Sequence, residues 1–169
     1  DDFDEILKLA LLQKPNRVVI TGDLIDKLAW LPEVCERLTT FAKQIPDGVD
    51  FILGNHEYHH DVNKVLDELK HNTPMNILVN SNIQIMGGKQ PVYIAGVAYD
   101  NDREKEKREA MIDKALSGIP DYAFVILLAH HPEFFEESIE RKIPLTLSGH
   151  THGGQIVFMG MPLVPTGTP

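Results

Sequence analysis

The chain's 169 residues suffice for one domain, read here as 1–169, which can bury about 70% of the surface that its unfolded form exposes. Hydrophobic residues make up 43% and charged residues 24%, which excludes a disordered or fibrous class, and no apolar run approaches the ~20 residues that span a bilayer. The net charge of −9 opposes a general affinity for nucleic-acid backbones, and the single cysteine, Cys35, excludes an intrachain disulfide and a thiolate metal cluster.

In chain order, Asp2 and Glu5 resemble a helix start, and Phe3, Ile6, Leu7, Ala10 and Leu11 then recur at helical spacing until Lys14-Pro15. Val18-Val19-Ile20 has the β-branched character of a strand buried on both faces and runs into Thr21-Gly22-Asp23. A second helix is predicted from Pro32, with Trp30, Val34, Leu38 and Phe41 on one side. Phe51-Ile52-Leu53 is another buried strand, followed by Gly54-Asn55-His56-Glu57 and a helix carrying Val62, Val65, Leu66 and Leu69. The stretch 82–97 reads as an antiparallel hairpin turning at Gly87-Gly88-Lys89-Gln90, so a mixed sheet is expected. A helix over 102–117 turns Met111, Ile112, Ala115 and Leu116 inward and stops at Gly118. Its run Arg103-Glu104-Lys105-Glu106-Lys107-Arg108-Glu109 reads as a solvated face with local ion pairs. Strands are expected at 124–128, at 145–147 and again at 155–158.

Four polar clusters each follow an apolar strand: Gly22-Asp23-Leu24-Ile25-Asp26, Gly54-Asn55-His56-Glu57, Ala129-His130-His131, and Gly149-His150-Thr151-His152-Gly153-Gly154. Ligands of open α/β sheets bind at the carboxyl ends of strands, so these clusters are expected to converge. Asp, Asn and His are the oxygen and nitrogen donors that suit zinc, manganese, iron or cobalt. Taken alone, Asp23 and Asp26 read equally well as a turn and a helix cap. His59, His60 and His71 have no such setting and are expected at the surface or the pocket rim.

GDLID, GNHE, LLAHHP and GHTHGG, spanning residues 22–154 in this order, resemble the successive motifs of calcineurin-like metallophosphoesterases. The resemblance implies a four-layer αββα sandwich of two mixed sheets flanked by helices. It implies hydrolysis of a phosphomonoester or phosphodiester by a metal-bound hydroxide, with two divalent ions (Mn, Fe, Zn or Co) as cofactors. Position by position, it implies that Asp23 bridges the two metals, that Asn55, His130 and His150 bind the second, and that His152 binds the first. His56 corresponds to the family's catalytic histidine, which serves the leaving oxygen and is not a ligand, while Asp26 and Glu57 correspond to supporting residues behind the ligands. His131 competes with His130 for the ligand role, and the family's spacing to Pro132 favours His130.

The family's first motif, Asp-x-His, has no counterpart, because no histidine precedes His56. The chain is therefore expected to start just after that motif and to end early at Pro169, holding the second metal better than the first and leaving one sheet edge open. The GHTHGGQ form resembles a bacterial branch, often membrane-associated, and leans the substrate toward nucleotide- or lipid-linked pyrophosphates. The expected location is then cytoplasmic or peripheral to the bacterial membrane, with any anchor upstream of this chain. Two rivals are a nuclease of the same superfamily, which the acidic charge disfavours, and a binding or scaffold module that keeps the fold without catalysis.

Overall fold

The computed structural model describes residues 2–99, 104–152, 157–158 and 161–162. Helix α1 (Asp2–Leu12) opens the chain, with Asp2, Asp4 and Glu5 in its first turn, where acidic groups offset the helix dipole. Phe3, Leu7, Ala10 and Leu11 rest on the core, as the spacing predicts. Ile6 does not: it is 61% exposed, at the border of the apolar stripe on the side shared with the exposed Leu9 and Leu12. Strand β1 (Val18–Ile20) is followed by a 3-10 turn at Leu28–Trp30 and by helix α2 (Leu31–Ala42), which buries Leu31, Cys35, Leu38, Phe41 and Ala42. Trp30 was expected among those residues, but it precedes the helix and so falls outside its register. It stays exposed, with the Lys27 ammonium 4.6 Å from its ring centroid.

Strand β2 (Val49–Phe51) leads into the one-turn helix α3 (Asn55–Tyr58) and helix α4 (Val62–Asn72). The Asp61 carboxylate caps α4 by accepting from the N–H groups of Asn63 and Lys64. Two-residue strand β3 (Asn76–Ile77) completes a parallel sheet of order β1-β2-β3. Asp50 is fully buried within it because Arg17 donates to both its oxygens at 2.8 and 3.0 Å and Asn76 donates at 2.8 Å.

The second sheet has the order β4-β5-β6-β7. Its strands are β4 (Ser81–Met86), β5 (Val92–Gly96), β6 (Phe124–Ala129) and β7 (Leu145–Ser148). The predicted hairpin is the β4–β5 antiparallel pair, and β5, β6 and β7 run parallel, so the mixed character belongs to this sheet. Helix α5 (Lys105–Leu116) covers it together with helix α6 (Phe134–Glu140), a seven-residue segment with too few turns to show periodicity in the sequence. The predicted start of α5 at Asp102 lies outside the described residues. A final hairpin pairs β8 (Val157–Phe158) with β9 (Met161–Pro162); residues 155 and 156 of the expected last strand also lie outside the described residues.

Alternation along the strands builds four layers. Val18, Val49, Phe51 and Leu53 face the α1, α2 and α4 side, whereas Val19 and Ile52 face the other sheet and meet Ile94, Ile126 and Leu128 there. Ala95, Val125, Leu127 and Ala129 turn outward to Ile112 and Ala115 of α5 and to Phe134. The sheets approach closely at Gly96, where a Cβ would lie 2.5 Å from that of Leu78 and 2.6 Å from the Ile52 side chain. The charged run on α5 departs from its reading as a solvated face at Arg108. This side chain is 13% exposed and turns inward to the fully buried Glu137, with contacts of 2.7 and 2.8 Å, because α6 brings a buried carboxylate to it.

Candidate metal centre

β1 and β2 are parallel neighbours in one sheet and β6 and β7 in the other, and a polar cluster follows each of the four. The sheets meet at these ends: the buried His130 Nδ1 lies 2.6 Å from the Thr21 carbonyl, and a Cβ on Gly149 would lie 3.0 Å from the same oxygen.

The turns are tight and need the residues found there. Gly22 has φ +95°, and a Cβ on it would stand 2.6 Å from the Gly54 backbone and from His130 Nδ1. Asp23, His150 and His152 also take positive φ (57°, 66° and 53°), a strained conformation that collects at functional sites.

Glu57 fastens the two loops of the first sheet together. It is fully buried, and its carboxylate accepts four backbone N–H groups: Asp23 at 3.0 Å and Gly54 at 2.6 Å on one oxygen, Leu24 at 2.7 Å and Ile25 at 2.9 Å on the other. Asp23 in turn accepts the His56 N–H at 3.0 Å.

Among the described residues, Asp23, His130 and His150 bring one donor atom each to within 4.8 Å of one another. His130 Nε2 lies 3.3 Å from the Asp23 carboxylate and 3.3 Å from His150 Nδ1. Asn55 Oδ1 is 2.9 Å from the former ring and 3.0 Å from the latter. With His130 Nδ1 donating to Thr21, its Nε2 faces two oxygens and a second imidazole, an arrangement of lone pairs that needs a positive charge at its centre. This donor set fits a divalent transition metal.

Proton affinities carry the same information. Burial pushes the Asp23 carboxyl up, but the His130 hydrogen bond, the His56 N–H and the charges of both imidazoles outweigh it and hold the group at about 2. Burial disfavours charge on His130 too, yet Asp23, the Thr21 carbonyl and Glu57 raise its proton affinity above the usual value. His150 is shifted down by burial and by the neighbouring His131 and His130. These shifts favour positive charge in the cluster, where a cation would sit.

His152, the remaining sequence-derived ligand, is exposed and stands outside that group of three. His56 Nδ1 lies 3.2 Å from the Asp26 carboxylate, both partly open to solvent, and His60 Nε2 is 3.1 Å from the Asp26 carbonyl. His59 and His71 are exposed. Two neighbours have no motif to announce them. Thr21 acts through its carbonyl, which side-chain patterns do not report. Tyr99, in a loop that the sequence places at the pocket, meets His130 edge-on at 6.0 Å and His131 at 6.4 Å from just beyond the end of β5, parallel to β6.

The profile of the calcineurin-like phosphoesterase family matches residues 1–154. An uncharacterized metallophosphoesterase of Campylobacter jejuni is 37% identical over 160 residues, 91% of this chain and 40% of that protein. One of Aquifex aeolicus is 32% identical over 166 residues, 95% of this chain and 59% of that protein. One of Helicobacter pylori is 31% identical over 162 residues, 92% of this chain and 41% of that protein. The chain thus spans 40 to 59% of the length of these curated relatives.

Proposed function

The chain belongs to the calcineurin-like phosphoesterases, and from this premise we propose that it hydrolyses a phosphate mono- or diester at the edge where the two sheets meet. Asp23, Asn55, His130 and His150 would hold a divalent transition metal, and Asp23 with His152 would contribute to a second. When bound, such ions supply Lewis acidity, lower the pKa of water and offset the charge of the phosphoryl group. The observation that carries this reading is the meeting of one carboxylate, one amide oxygen and two imidazoles, drawn from the ends of four strands, at a single point.

The chain's own residues divide the remaining work. Asp23, held ionised down to about pH 2, is an anion ready to ligate at any physiological pH. Thr21 fixes the tautomer of His130 and so leaves Nε2 as the donor. His56 is oriented by Asp26 through Nδ1, and its Nε2 can pass a proton to the departing oxygen of the ester. Glu57 keeps the loops that carry Asp23 and Asn55 in register.

Among the described residues no helix is long and apolar enough to cross a membrane. The preferred substrate is a small or lipid-linked phosphoester, including nucleotide- or lipid-linked pyrophosphates; the charge of −9 makes a nucleic-acid backbone the less favourable partner. Hydrolysis of p-nitrophenyl phosphate and of its bis ester by the full-length protein with added Mn²⁺ tests the activity. Turnover abolished by His150→Ala supports it. A protein that binds Mn²⁺ tightly and cleaves neither ester, nor a pyrophosphate, would instead be a binding module on this fold.

A further inference from the structure

His131 follows a proposed ligand and faces another. Its ring is tilted against that of His150, with centroids 4.3 Å apart and planes 37° from parallel, while His130 meets the same ring edge-on at 5.2 Å and 79°. The His150 backbone is in the left-handed region, a strained conformation that persists only where the surrounding structure holds it. His131 itself is largely enclosed, with a side chain 12% exposed, and its Nδ1 stands 3.7 Å from the Glu133 carboxylate, within ion-pair range but beyond hydrogen-bond length. The other Glu133 oxygen is 3.8 Å from Arg108, which is pinned to the buried Glu137 of α6. A line of contacts therefore runs from α5 and α6 to the His150 imidazole.

We propose that His131 is a positioning residue for the metal centre: its flat ring, held in a largely enclosed position, is the platform that holds the His150 imidazole in its ligating orientation. What matters is the face of the ring and not its nitrogens. Close contacts between aromatic rings are favourable beyond their buried area, and groups that support a ligand govern how tightly a site grips its ion. The inference rests on the metal-centre reading above.

The test is titration of the metal-free protein with Co²⁺ alone, followed by calorimetry and by the visible absorption of the bound ion, with thermal unfolding of each metal-free variant as the folding control. His131→Ala and His131→Asn, which lose the flat face, should weaken Co²⁺ binding by about tenfold or more. His131→Phe, which keeps the face and loses both nitrogens, should stay within about threefold of wild type and keep its Co²⁺ spectrum. Equal loss in the Phe and Ala variants would make His131 a ligand and overturn the proposal. Wild-type affinity in all three, with only kcat/KM reduced, would make it a substrate contact and overturn it equally. A folded Phe variant that has lost Co²⁺ decides the matter even where the Ala variant does not fold. A wild-type protein that takes up no Co²⁺ would remove the metal centre itself, whereas normal uptake with three indifferent variants would remove only the platform.

Discussion

Replacing Glu57 by Gln changes one oxygen to an amide nitrogen and little else in shape. The native carboxylate accepts two N–H groups on each oxygen, at 2.6 to 3.0 Å, in a fully buried setting. Whichever way the amide is turned, its NH₂ faces two backbone N–H groups, either those of Asp23 and Gly54 or those of Leu24 and Ile25. Two donors are then left without an acceptor, at about 1–3 kcal/mol each, so a loss of about 2–6 kcal/mol is expected. That is a large part of the stability of an ordinary domain. Urea denaturation of the metal-free protein measures it, and Mn²⁺ titration of the same variant should show weakened binding, because the Asp23 and Asn55 loops are no longer tied together. A Glu57→Gln protein destabilised by less than about 1 kcal/mol would refute the reasoning, since even one orphaned donor costs that much.

Asp26→Asn should lower kcat while leaving Mn²⁺ affinity unchanged, and His56→Gln should lower it further, by about 10²- to 10⁴-fold; steady-state kinetics beside calorimetry check both. Gly22→Ala should cost about 3 kcal/mol or more, because its Cβ would meet backbone that cannot give way, whereas Gly118→Ala, with φ +82° and no atom within 4 Å, should cost only about 1 kcal/mol. Two denaturation curves compare them. The stability of the metal-free protein should depend on pH at both ends. The Asp23 contribution is complete above its ordinary value of 3.8 and is lost as pH falls through about 2. His130 is raised, so its contribution is complete below 6.5 and is lost as pH rises through its folded value. Mn²⁺ should bind more tightly over that same upper range, releasing a proton measurable by calorimetry in buffers of different ionisation enthalpy.

Much of this was legible in the residue pattern because the chemistry is local. Each of the four clusters sits at the end of a short apolar strand, and the strand and, in three of the four, the glycine that opens the cluster are visible without coordinates. The strands at 18–20 and 124–128, the latter observed one residue longer, and the hairpin of 82–97 followed from apolar runs and a glycine turn. Burial of particular side chains was less legible, since helical spacing alone could not say that Ile6 lies at the edge of its stripe or that Trp30 stands before its helix. Arg108 shows why: among alternating charges it is indistinguishable from its neighbours until Glu137, 29 residues later, arrives from another helix. The same limit hid the four N–H groups around Glu57, the Thr21 carbonyl behind His130 and the ring of His131 against His150. Backbone groups and ring contacts leave no letter in a sequence.

The most direct test of the metal centre is anomalous scattering from a crystal of the protein grown with Mn²⁺. A peak is expected within bonding distance of the Asp23 carboxylate, Asn55 Oδ1, His130 Nε2 and a His150 ring nitrogen. A well-ordered crystal with no peak there, at Mn²⁺ concentrations that support phosphoester hydrolysis in solution, would contradict the account.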